Sequence, residues 1–142
     1  MDTNAIVRIR TSFQLLAPRG QELIDTFYQM LFTAAPGVRG LFPADMTKQK
    51  GHLLGAVGLV VKHADNLAAI EGPLMDMGER HVKYGAKAEH YPVVRDTLIA
   101  ALAVTAGPAW NPQLADDWTE ALNAVAGLMI RGAQRAELRQ AA

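Results

Sequence analysis

The residues of this chain best suited to chemistry lie in LMDMGERHVKYG, positions 74 to 85. Wound into a helix, Leu74, Met77, Gly78 and His81 follow the i, i+3, i+4, i+7 spacing of a single face. Three of these four are apolar or small, and Glu79, Arg80 and Lys83 take the opposite side. The buried side of this helix therefore ends in an imidazole. Two chemistries are open to it. A core histidine satisfies its ring nitrogens with a backbone carbonyl or water. A metal-binding histidine uses one of them as a ligand, and neutral imidazole is the commonest metal-binding side chain.

The rest of the chain bears on that choice. His63 ends a helical segment and His90 sits beside Glu89 in a charged turn, so both read as solvated. No cluster of carboxylates or histidines offers the three or four ligands of a zinc site. With no cysteine in the chain, thiolate metal sites, disulfides, cysteine nucleophiles and thioether attachment of haem are all excluded. A single buried histidine suits haem, whose porphyrin brings four nitrogens of its own. Phosphate loops, dinucleotide glycine fingerprints, HExxH zinc helices and calcium loops are absent.

The elements that must position His81 are legible from punctuation and periodicity. Asp2 and Thr3 can cap a first helix ending near Pro18, with Ile6, Ile9, Phe13 and Leu16 on its apolar face. A second helix is predicted from about Gly20 to Ala34. APGVRGLFPADM packs two prolines and two glycines into twelve residues and must be a corner. A third helix spans about Thr47 to Lys62 with a stripe of Leu53, Ala56, Val57 and Val60. Asp65 and Asn66 open a turn, and the histidine helix begins near Pro73. A fifth runs from about Tyr91 to Ala106 through Val94, Leu98, Ala101, Leu102 and Thr105. Asn111 followed by Pro112 reads as an N-cap and a first-turn proline. They open a last helix bearing Trp118, Leu122, Val125 and Met129. No segment alternates with period two, so the chain reads as all-α, one domain over residues 1–142.

Composition agrees with a packed chain. Half of its 142 residues are hydrophobic and 20% are charged, which is a globular balance. Lys plus Arg and Asp plus Glu are each 14, the net charge is zero, and no basic run appears, so no nucleic-acid partner is expected. The longest apolar runs fall short of the roughly 20 residues of a membrane span. No signal peptide is evident at the N-terminus, and a soluble, cytoplasmic protein is expected.

Four further residues complete a series with His81, and His52 lies beside them. Tyr28 lies in IDTFYQMLF, Phe42 in RGLFPADM, and Gln49, His52 and Leu53 in MTKQKGHLLG. Taken alone, Tyr28 reads as a helix tyrosine with its hydroxyl at the surface, and Gln49 as an exposed residue between two lysines. In order, however, FYQMLFTAAPGVRGLFP, QKGHLL, GERHVKYG, EHYPVV and Trp118 span nearly the whole chain. This sequence resembles the globin family, most closely the single-domain bacterial globins and the haem domain of flavohaemoglobins.

That resemblance implies a globin fold, a helical sandwich enclosing a pocket for non-covalent haem b. It makes His81 the proximal iron ligand and Phe42 the corner phenylalanine stacked on the haem. Tyr28 and Gln49 become the distal polar pair, with Leu53 one turn beyond Gln49. Met77, Val94 and Leu98 line the apolar pocket, Tyr84 and Ala86 follow the ligand at the haem, and Arg80 reaches a propionate. His52 contacts a propionate or solvent, and a second possibility is that it swings in to the iron. Bound dioxygen draws electron density from iron and accepts hydrogen bonds, which a tyrosine hydroxyl and a glutamine amide can donate.

The sequence also departs from these relatives. Flavohaemoglobin haem domains pair the proximal histidine with a tyrosine and a glutamate; Tyr91 matches the tyrosine, but Ala133 stands in the glutamate's place. Glu137 is the only nearby carboxylate in the last helix. Ala86 stands where relatives usually carry a larger aliphatic residue. The implied function is reversible binding of dioxygen and of other diatomic ligands, NO and CO. The alternative is nitric oxide dioxygenation served by a separate reductase. The implied assembly is a monomer or homodimer. A haem-free helical interaction module, with His81 a core residue, is the third reading.

Overall fold

The computed structural model describes residues 1–141. Six α-helices carry the chain, and no strand occurs among the described residues. Helix α1 (Thr3–Leu16) begins as expected: the Asp2 carboxylate accepts from the Ala5 N–H at 2.7 Å, filling one of the four donors that a helix start leaves open. A 3-10 turn over Ala17–Arg19 redirects the chain at Pro18 into α2 (Gly20–Ala34). The predicted corner is a second 3-10 turn, Pro36–Leu41, after which α3 (Thr47–Lys62) starts.

A third 3-10 turn, Leu67–Ile70, runs into α4 (Glu71–Lys83), two residues ahead of the expected start at Pro73. Proline is tolerated there because first-turn N–H groups have no partner inside the helix. Gly85, at φ +90°, then turns the chain, and the Ala86 N–H donates to the His81 carbonyl at 2.9 Å. Helix α5 (His90–Ala106) starts one residue earlier than expected and stops at Gly107, φ +58°. Positive φ suits glycine because it lacks a Cβ. Helix α6 (Pro112–Ala141) opens as predicted, with the Asn111 side chain accepting from the Leu114 N–H at 2.9 Å.

These helices stack as a sandwich in which α2 lies on α5 and α4 crosses α6. Leu23, Ile24, Phe27 and Leu31 of α2 meet Leu98, Ala101 and Leu102 of α5 in a continuous core. Burying side chains of this size stabilises the fold by roughly 1.5–3 kcal/mol each. Trp118 of α6 is fully buried, and its indole N–H donates to the Ser12 hydroxyl at 3.0 Å. Beside it Arg8 grips Asp117 through two bonds of 2.6 and 2.9 Å.

The α4–α6 crossing is unusually close. A Cβ added to Gly78 would sit 1.8 Å from the Met129 carbonyl oxygen, and one added to Gly132 would sit 1.9 Å from that of Met75. Each glycine thus admits the other helix's backbone. Around the crossing, Arg131 pairs with Glu71, and Arg135 with both Asp76 and Glu79. Arg139 also reaches Glu79. No helix among the described residues is long and apolar enough to cross a membrane.

Candidate functional site

His81 stands in the last turn of α4, half-buried, where the crossing with α6 fixes its helix. Its Nδ1 lies 2.6 Å from the Met77 carbonyl oxygen, one turn back. A carbonyl only accepts, so Nδ1 carries the proton and Nε2 keeps an uncommitted lone pair. Burial holds the imidazole below its ordinary pKa of 6.5; the Met77 bond pulls it partly back up and the Arg80 charge pushes it further down. A neutral ring with a free Nε2 is the ligating form of histidine. The Tyr84 ring meets the imidazole edge-on, centroids 5.6 Å apart.

A second group forms where α2, the corner and α3 converge. Tyr28 is only 4% exposed, contrary to the surface tyrosine that its segment suggests when read alone. Its ring meets Phe27 at 4.9 Å and Phe42 at 5.7 Å, both edge-on, and Phe32 at 5.7 Å in a tilted contact. Gln49, half-buried at the start of α3, donates its amide N–H to the Tyr28 hydroxyl oxygen at 3.2 Å. Burial pushes the Tyr28 hydroxyl above its ordinary pKa, and the Gln49 bond opposes this in part. The phenol is therefore neutral, and its own proton is left to donate elsewhere.

The structure thus brings Tyr28, Gln49 and Phe42 together, and separately joins His81 to Met77 and Tyr84. Leu98 is buried in the core and Leu53 is partly buried against it. Met77 and Ala86 are half-buried, while Arg80 and His52 are exposed. Val94 and Tyr84 are 37% and 57% exposed, and Leu41, whose side chain lies against Gly85, is 41% exposed. Apolar surface of this kind suits contact with a flat hydrophobic group. Tyr91 is half-buried, and its hydroxyl has no hydrogen-bond partner.

Sequence reasoning passed over Phe32 and Leu41. Phe32 packs on both Tyr28 and Phe42 and carries the Arg39 guanidinium over its ring at 5.0 Å. Its place one turn after Tyr28 on the same helix face was the available signal. Leu41 has no such signal beyond its neighbour Phe42.

Among the described residues no three His, Asp or Glu side chains converge on a point. A metal at His81 would need a carrier that brings most of its own donors, and a porphyrin does so. The neutral imidazole, its free Nε2 and the apolar Val94, Tyr84 and Leu41 all fit that group.

Comparisons with known proteins agree with the helical fold. The sequence profile of the family described as Globin matches residues 25–129. A flavohemoprotein of Deinococcus radiodurans is 31% identical over 125 residues, which make up 86% of this chain and 31% of the relative. The chain spans about a third of the length of the flavohemoproteins it matches. A carbene transferase engineered from a candidate nitric oxide dioxygenase of Rhodothermus marinus superposes with a TM-score of 0.88 at 25% identity. That match covers 100% of this chain and 99% of the other. A flavohemoglobin of Malassezia yamatoensis, with bound FAD and heme, shares the fold at a TM-score of 0.80 and 20% identity, over 95% of this chain and 37% of its own.

Proposed function

This chain belongs to the globin family, and from that premise we propose that it holds a non-covalent haem b through Nε2 of His81 and reversibly binds dioxygen there, as well as NO and CO. The observation that carries the reading is the 2.6 Å bond from Nδ1 of His81 to the Met77 carbonyl. It selects the tautomer in which Nε2 is the free donor and fixes the ring's rotation, as outer-shell partners of metal-bound histidines do. When bound, haem supplies an iron whose open position accepts a diatomic molecule.

The chain's own residues supply the rest. Phe42 would pack against the haem and Leu53, Met77, Val94 and Leu98 would exclude water, with Tyr84 and Ala86 beside the ligand turn. Tyr28 would donate a hydrogen bond from its hydroxyl to the diatomic ligand, and Gln49 would hold the phenol in orientation. Arg80 and His52, both exposed, would hold the propionates. On the proximal side the acceptor at His81 is a neutral carbonyl rather than a carboxylate, so electron donation to a bound iron would be modest.

A second reading is nitric oxide dioxygenation, in which nitric oxide, dioxygen and one electron from a separate reductase yield nitrate. The buried Tyr28 proton favours it equally, because it stabilises negative charge developing on oxygen. A cytoplasmic setting and a monomeric or homodimeric state accompany both readings. Turnover of nitric oxide with a supplied reductase separates the two.

The purified chain should be red, show a Soret band and carry about one haem. His81→Ala should lose most of that haem. Normal haem content and an unchanged ferrous spectrum in His81→Ala would overturn the assignment, and a colourless wild-type chain after reconstitution with hemin would overturn the haem reading altogether.

A further inference from the structure

Tyr28 is walled by rings from two different parts of the chain. Phe32 stands one turn later on α2, so its distance from Tyr28 is set by the helix itself. Phe42 comes from the corner, where the backbone is extended at φ −112° and ψ 153° and no helix fixes its place. The three rings nonetheless close a triangle, with centroids 5.7, 5.7 and 5.4 Å apart. Something must hold the corner against α2.

Arg39 meets that need. Its Nη1 donates to the Phe42 carbonyl at 3.3 Å and to the Pro43 carbonyl at 3.1 Å, and its Nη2 to the Ala44 carbonyl at 3.4 Å. The same guanidinium lies over the Phe32 ring, 5.0 Å from its centroid. One half-buried side chain thus grips three successive carbonyls of the corner and rests on a ring of α2. Individually these bonds are long. The grip comes from their number and from the planar fork of donors, which a lysine cannot reproduce. Just beyond Ala44, the Asp45 carboxylate accepts from the Thr47 N–H at 2.9 Å, and α3 begins with Gln49 in its first turn. The Phe42 ring and the Gln49 amide, which support the phenol at its two ends, therefore flank the segment that Arg39 holds.

We propose that Arg39 is a positioning residue for the distal side: by fixing the corner to the Phe32 ring it holds the Tyr28 phenol where it can bond a diatomic ligand, and so sets how long dioxygen is retained. The proposal rests on the haem reading above. Arg39 acts through Phe32 and Phe42 and touches no ligand itself. With the corner freed, the phenol would keep its bond from Gln49 but lose the wall that stops its ring from rocking. Its hydrogen bond to dioxygen would then be formed for part of the time, and dioxygen would leave sooner. Carbon monoxide accepts poorly and should hardly respond.

The test is Arg39→Gln, measured on the haem-loaded chain beside Tyr28→Phe and a control, Arg10→Gln. Arg10 also grips backbone carbonyls, those of Val61 and Lys62 at 3.3 and 2.9 Å, but at the far end of α3. Oxygen dissociation should quicken about three- to tenfold in Arg39→Gln, with carbon monoxide dissociation within about twofold of wild type. The infrared C–O stretch of the carbon monoxide form, which senses a nearby hydrogen-bond donor, should move toward its Tyr28→Phe position. In the haem-free chain, nuclear Overhauser contacts between the Tyr28 and Phe42 rings should weaken. Arg39→Lys should keep a cation over Phe32 yet still release oxygen about threefold faster, and it carries the test if Arg39→Gln does not fold. Arg10→Gln should match wild type throughout.

A wild-type stretch and oxygen rate in Arg39→Gln, with only a lowered Tm, would make Arg39 a clamp of the fold alone and overturn the proposal. Equal changes in Arg10→Gln, or wild-type behaviour in Arg39→Lys, would overturn it too. A wild type that binds no haem, or a Tyr28→Phe chain with wild-type oxygen rates, would instead remove the reading beneath it.

Discussion

The side-chain amide of Gln49 donates to the hydroxyl oxygen of Tyr28 across 21 residues of sequence, at 3.2 Å. The direction matters. Had the phenol been the donor, its proton would be spent inside the protein. As it stands, the glutamine orients the phenol, and the hydroxyl proton is not used in this bond.

Tyr28→Phe should therefore release oxygen faster. Hydrogen bonds to partly charged groups are worth about 1.5–3 kcal/mol, which corresponds to roughly ten- to a hundredfold in dissociation rate. Carbon monoxide is a poorer acceptor and should leave at nearly the wild-type rate. Burial raises the Tyr28 pKa above its ordinary 10.0, which favours the protonated phenol. Oxygen release from the wild type should consequently show no alkaline rise below about pH 10. Stopped-flow rates for oxygen that match between Tyr28→Phe and wild type would show that the hydroxyl points away from the ligand.

Tyr91 leads to a different measurement. Its buried hydroxyl has no partner, and Ala133, where the globin resemblance implies a glutamate, offers none. The ferrous deoxy chain should show an iron–histidine stretch ordinary for an oxygen binder, and its peroxidase turnover should be weak. Ala133→Glu should give Tyr91 a carboxylate to bond and raise the stretch through the proximal network. Resonance Raman reads this directly. An unmoved stretch in Ala133→Glu would mean that α6 presents residue 133 away from Tyr91.

The glycine crossing sets two expectations of opposite sign against each other. In an exposed helix, Gly→Ala stabilises by about 1 kcal/mol. At Gly132 the new methyl would lie 1.9 Å from the Met75 carbonyl oxygen, and overpacking of this kind typically costs about 1–3 kcal/mol, occasionally more. Gly132→Ala should lower the urea midpoint of the chain. A midpoint raised to the extent that helix propensity alone predicts would show that α4 and α6 separate freely.

The sequence carried the fold further than it carried the site. Asn111 and Pro112 announce the start of α6 because capping is local chemistry, and the α4 stripe marks His81 because helical spacing is local too. Tyr28 and Gln49 are another matter. Each reads alone as an ordinary surface residue, and only the order of motifs shared with a family joined them. Periodicity cannot report a bond that depends on where two helices come to rest. Gly132 shows the same limit: nothing in RGAQR distinguishes it from a solvent-facing glycine until the Met75 carbonyl is seen above it. Phe32 was within reach, one turn from Tyr28, but a helical aromatic has many uses besides a cofactor pocket.

The arginines of α6 that bond α4 fall at 131, 135 and 139, a repeat of one helical turn. Were α6 to slip along its axis by one turn, much of that ladder would re-form with the next acid along, so the charges hold the helices together without saying where. The glycines do say where. Four residues either side of Gly132 stand Leu128 and Ala136, and either side of Gly78 stand Leu74 and Val82; each would drive a side chain into the facing backbone. The address of His81 relative to the rest of the molecule is thus written in two side chains that are missing.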